Sequence, residues 1–209
     1  TCLANVSQTE GIVKCVYAAS SGDSLECDAL LIKYPTSYNQ ADNNFVWTVT
    51  DDPNPPTQRG QPNNKMFFQS GIMYYRSKLE IQQIEDGTSN TYLVGEKWVN
   101  SDGYDGVLQP NTPGYSWGDN QSMYTGYDWD NQRVAWNPDS PEDDEFFQPS
   151  QDRAGFGAPQ PEAKFGSAHP GGFNMAFADG SVQWIAYEID PLTHRWQANR
   201  LDGQVANRE

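Results

Sequence analysis

Hydrophobic and polar positions alternate most regularly near the end of the chain. In GGFNMAFADGSVQWIAYEI, Phe173, Met175 and Phe177 recur at every second position, and Val182 and Trp184 lead a second run that extends to Ile189. Such alternation places every second side chain on one face of a strand. Asp179-Gly180 lies between the two runs and is a strong hairpin signal, so two antiparallel strands joined there are expected. Asp190 then offers a helix N-cap and Pro191 a first helical residue. PLTHRWQANR reads as a short helix, with Gly203 marking its end.

The middle of the chain is patterned more weakly. FFQSGIMYYRS reads as an apolar strand. Leu79, Ile81 and Ile84 precede a turn at Asp86-Gly87, and a strand through Tyr92, Leu93 and Val94 follows. A short helix or turn before Asp86 fits the same residues, and Ser89 and Asn90 suit the turn chemistry. Near the start, GIVKCVYAA and DALLIKY fit two strands, or one helix and one strand; periodicity does not decide. Residues 35–66, with DDPNPPTQRGQPNN, read as a long loop. Residues 100–164 mix Gly, Asn, Asp and aromatics without sustained period, and no repeat of 20–50 residues is visible. The predicted fold is therefore α+β: one domain over 1–209, an antiparallel sheet with long irregular loops and a short C-terminal helix.

Composition narrows the partners. The 209 residues include 7 Trp, 11 Tyr and 9 Phe, enough aromatic area for a core in a chain only 36% hydrophobic. Twenty-eight acids against 13 bases give a net charge of −15. No Lys/Arg cluster exists to displace phosphate counterions, which excludes nucleic acid, and anionic lipid is disfavoured for the same reason. An acidic surface suits solubility outside the cell and weak binding of calcium. Cys2, Cys15 and Cys27 allow one local disulfide with one thiol left over, or three reduced thiols; the pairing stays open. No stretch approaches the ~20 apolar residues of a membrane span. The chain opens TCLANVSQTEG without methionine and is expected to be a processed or truncated product.

Four groups of residues are candidates for chemistry. His169 is one of two histidines, the other being His194 in a different element. A histidine base needs a nucleophile or substrate beside it, and no G-x-S-x-G or H-E-x-x-H pattern appears. The structural alternative is a turn restricted by Pro170, Gly171 and Gly172, whose imidazole hydrogen-bonds backbone or the Asp179 carboxylate. Asp128, Asp130 and Asn131 in GYDWDNQ resemble part of a calcium loop without its later bidentate glutamate; an Asx-rich turn is the alternative. Asp102 and Asp105 share that pattern. Trp117, Tyr124, Tyr127, Trp129 and Trp136 offer stacking faces for a polysaccharide, with loop packing as the alternative. Glu142, Asp143, Asp144 and Glu145 are the carboxylates a glycosidase would need, but a consecutive exposed run repels itself and stays solvated. A hydrolase ranks last.

HPGGFNMAFADG fits the H-X9-DG signature, with His169, Gly171, Gly172, Asp179 and Gly180 in place. LEIQQIEDGTSNTYLVGE, residues 79–96, fits a second stretch through Asp86, Gly87, Thr88, Ser89, Asn90, Gly95 and Glu96. With both motifs in order, the chain resembles the bacterial prepilin-type, processing-associated H-X9-DG family over roughly residues 67–205, while residues 1–66 match loosely. The resemblance implies an exported, pilin- or pseudopilin-like structural protein of the cell surface, anchored through a long apolar N-terminal helix that this chain lacks. It implies that such a helix packs on the sheet, that the partners are copies of itself or other pilin-like subunits, and that no catalytic residues carry over. The rival reading is a surface carbohydrate-binding module using Trp117, Trp129 and Trp136.

Overall fold

A computed structural model describes residues 14–23, 37, 39, 49–50, 67–104, 118–120, 122–124, 127–128, 130–136, 147–154 and 163–204. In chain order its strands are β1 (Tyr17–Ser20), β2 (Val49–Thr50), β3 (Phe67–Phe68), β4 (Tyr92–Glu96), β5 (Gln132–Arg133), β6 (Ser150–Gln151), β7 (Gly166–Ser167), β8 (Gly172–Phe177) and β9 (Val182–Ala186). The helix α1 (Pro191–Ala198) follows. The main sheet has the order β5-β1-β4-β8-β9, and β2-β3 and β6-β7 form two small ladders. The fold is α+β. The main sheet is antiparallel from β1 through β4 and β8 to β9, and β5 joins the edge in parallel. No helix among the described residues is long and apolar enough to cross a membrane.

The β8–β9 hairpin forms where the alternation placed it. Phe173 faces Ile185 and Met175 faces Gln183 in antiparallel register. The connection is one residue longer than a two-residue turn. Gly180 donates to the Phe177 carbonyl (2.9 Å) and Phe177 donates to that of Ser181 (2.8 Å), leaving Ala178, Asp179 and Gly180 as the loop. Gly180 ends it at φ 84°, a left-handed conformation that glycine adopts without a Cβ penalty.

Phe173, Met175 and Phe177 are fully buried on one face of β8, each contributing roughly 1.5–3 kcal/mol of burial. They form a cluster with Tyr92, Phe165, Ile185 and Ala198. Gly95 lies opposite Met175, and the space of a missing Cβ is taken by the methionine thioether. Asp190 caps α1 by accepting from the Thr193 N–H (2.9 Å), with Pro191 as its first residue. The helix stops at Asn199 rather than near Gly203. Asn199 is extended, its amide reaches Asp23 (3.0 Å), and the Arg200 N–H bonds the Ser70 carbonyl (3.0 Å), so other elements recruit the chain there.

Two expectations change, and the open choice before Asp86 is decided in favour of the short helical turn. FFQSGIMYYRS is a strand only at Phe67–Phe68, because the N–H groups of Gly71 and Met73 turn to the carbonyls of Ser21 and Ser20. Ile81–Gln83 is a single 3₁₀ turn before Asp86. The last strand ends at Ala186, where the Ile189 N–H closes a turn onto the Ala186 carbonyl (3.1 Å).

Candidate functional site

The two motif segments meet along the β4–β8 ladder. At one end Glu96 closes β4. Its Oε2 accepts from the Asn174 backbone N–H (2.6 Å) and side-chain amide (3.2 Å), and its Oε1 lies 3.4 Å from His169 Nε2. At the other end the hairpin tip docks on the turn at 86–91: Ala178 donates to the Thr91 carbonyl (2.9 Å) and Asp179 to that of Thr88 (3.0 Å). Asn90 donates to the Asp86 carbonyl and Thr91 to that of Gly87, which closes the turn on itself. Gly87 (φ 91°) and Gly171 (φ 82°) take left-handed conformations at the two turns, and Ser89 sits inside the first. The Asp86 carboxylate accepts from the N–H groups of Asp202 (3.0 Å) and Gly203 (2.8 Å). Burial, reinforced by the Asp86 and Asp23 charges, raises the Asp202 pKa to about 6.

His169 and Asp179-Gly180 therefore stand at opposite ends of β8, about 20 Å apart for a six-residue strand. This corrects the expected His169–Asp179 contact. Asp179 instead accepts from the N–H (2.8 Å) and hydroxyl (2.6 Å) of Ser181, two residues on. Ser167 is the hydroxyl closest in sequence to His169, but its Oγ donates to the Gly172 carbonyl and meets the Tyr187 hydroxyl. No nucleophile–base–carboxylate relay is assembled from these groups.

His194 is fully buried among the rings of Tyr92, Phe165 and Phe173. Burial pushes its pKa down to about 3, so it is neutral at pH 7. The Tyr92 hydroxyl donates to Gln197 (2.6 Å), so the 3.2 Å contact with His194 has Nδ1–H as donor. Nε2 has no partner.

The structure brings the expected calcium residues into one turn. Asp128, Asp130 and Asn131 make a tight turn, Asn131 donating to the Asp128 carbonyl (2.9 Å). The ammonium of Lys97 lies 2.9 Å from the Asp130 carbonyl and 2.8 Å from Asp119, so a cation of the chain itself occupies this acidic pocket. Among the described residues no three His, Cys, Asp or Glu side chains converge as metal ligands. Trp136 is half-buried and carries the Arg195 guanidinium 3.6 Å from its ring centroid, which takes that face from a sugar. Trp117, Trp129, Asp105, Cys2, Cys27 and the acidic run 142–145 lie outside the described residues. Cys15 is half-buried with a free thiol.

Sequence reasoning missed the buried charges. Asp23 accepts from Arg195 (2.7 Å), Asn199 (3.0 Å) and Ser70 (2.5 Å). Arg133, fully buried, donates to the carbonyls of Lys164, Gln132 and Gly118. Their partners lie up to 176 positions apart, beyond any local pattern.

Residues 18–192 match a family described as a protein of unknown function (DUF1559). The chain belongs to this family. No curated protein and no solved structure matches it.

Proposed function

We propose that the chain is the globular head of an exported pilin- or pseudopilin-like subunit, a non-enzymatic structural protein of the cell surface. One observation carries this reading: Glu96, Asp86, Thr88 and Thr91 of the first motif hold other parts of the chain, joining that segment to the second motif and to residues 202–203. Glu96 holds Asn174 and His169, Asp86 holds Asp202 and Gly203, and Thr88 and Thr91 hold the hairpin tip. A catalytic constellation keeps a base and a nucleophile for its substrate; here the same residue types stiffen a platform. Its partners are copies of itself or other pilin-like subunits, and its anchor is an apolar N-terminal helix.

Expression of the complete gene tests the proposal. The expected result is a product cleaved by a prepilin peptidase and recovered in a filament or secretion-apparatus fraction. A product that is neither cleaved nor assembled overturns it. His169→Ala complements the test, because its contact with Glu96 is half exposed, where even a charged pair is worth less than about 1 kcal/mol. Stability is expected to fall by that much or less, by urea titration.

A further inference from the structure

We propose that the outer face of the main sheet binds a neutral polysaccharide, with the Trp184 indole as the stacking platform. The strand register builds the site. Tyr17 is opposite Glu96, Glu96 holds Asn174, and Asn174 is opposite Trp184, so these four residues form one row across β1, β4, β8 and β9. Cross-strand partners share a face. The next row is Ala19, Val94, Ala176 and Val182, also in register; Ala19 is buried, and the exposed apolar surface beside the polar row comes from Val94, Ala176 and Val182. Tyr17 and Trp184 end the first row three strand spacings apart, about 14 Å. Trp184 is 52% and Tyr17 48% exposed.

Trp184 is held for stacking. Its indole lies against Gly172, where an added Cβ would come within 2.7 Å of Cε2 and Nε1. The His169 ring leans on it, centroids 5.9 Å apart. A ring pinned in this way loses little freedom when a ligand covers its outer side. Around it, the Trp184 Nε1–H, the second imidazole nitrogen of His169 and the Asn174 Oδ1 have no protein partner among the described residues.

These features select a sugar. An apolar helix would take those three polar atoms from water and return no hydrogen bond. An extended peptide would pair in the plane of the sheet along the β9 edge, and would leave the face that carries the row uncovered. A pyranose offers C–H groups to the indole face and hydroxyls to the surrounding donors and acceptors. Glu96 in the row and a net charge of −15 repel an anionic polymer, which leaves a neutral one.

The test titrates the protein with hexamers of β-1,4-linked glucose and of β-1,4-linked N-acetylglucosamine, with hyaluronan as the anionic polymer. Binding is read by tryptophan fluorescence and calorimetry. A neutral hexamer is expected to bind saturably and hyaluronan not to bind. Trp184→Ala should weaken binding about tenfold or more at unchanged melting temperature, and Trp184→Phe should keep most of it. No saturable binding of either neutral hexamer, or equal affinity in Trp184→Ala, overturns the site. Tighter binding of hyaluronan overturns the neutral class.

Discussion

Two histidines fall into opposite environments. His169 is half exposed beside Glu96, whereas His194 sits in the aromatic core with its pKa pushed down to about 3. The unfolded value is about 6.5. Since the folded value lies below it, the unfolded chain takes up a proton that the native state refuses. The resulting stability is present above about pH 6.5 and is lost as pH falls toward 3. Two pH units at about 1.4 kcal/mol each give a loss of about 2–3 kcal/mol between pH 6.5 and 4.5 from this residue. His194→Asn removes the titration while keeping an amide for Tyr92. Urea titrations should therefore show wild type far ahead at pH 7, with its lead narrowed by about that amount at pH 4.5.

The β8–β9 hairpin and α1 are the elements that local pattern makes legible. Alternation, the Asp-Gly pair, the Asp190 cap and Pro191 all act within a few residues, and all appear in the structure. Gly180 supplies a prediction at this scale. An alanine there meets no atom within 4 Å, so its cost is the left-handed backbone alone, about 1–2 kcal/mol. Thermal unfolding of Gly180→Ala should show it. The strands β5, β6 and β7 were not legible, because two residues carry no period and their pairing is set by distant chain. The site was legible in part. The sequence marked Glu96 and His169 as motif members, but only the register revealed that Tyr17, Asn174 and Trp184 share a row with Glu96.

At the scale of the molecule, Asp23 ties the end of β1 to α1 through Arg195 and Asn199. Removing it leaves a partly buried guanidinium stacked on Trp136 without its carboxylate. Asp23→Ala should cost about 2–3 kcal/mol in chemical denaturation, the range for leaving buried partners without their hydrogen-bond acceptor, since the Arg195 side of the pair is partly solvated. The residues after α1 carry a kinetic consequence. Asn199 and Arg200 hold Asp23 and Gln69, and Asp86 waits for Asp202 and Gly203. Each of these partners is made by the ribosome more than a hundred residues before the group that fastens it. Such contacts must close large loops before they reward the chain. The fastening of Asp23, Gln69 and Asp86 therefore cannot be complete on the ribosome before residues 199–203 have emerged.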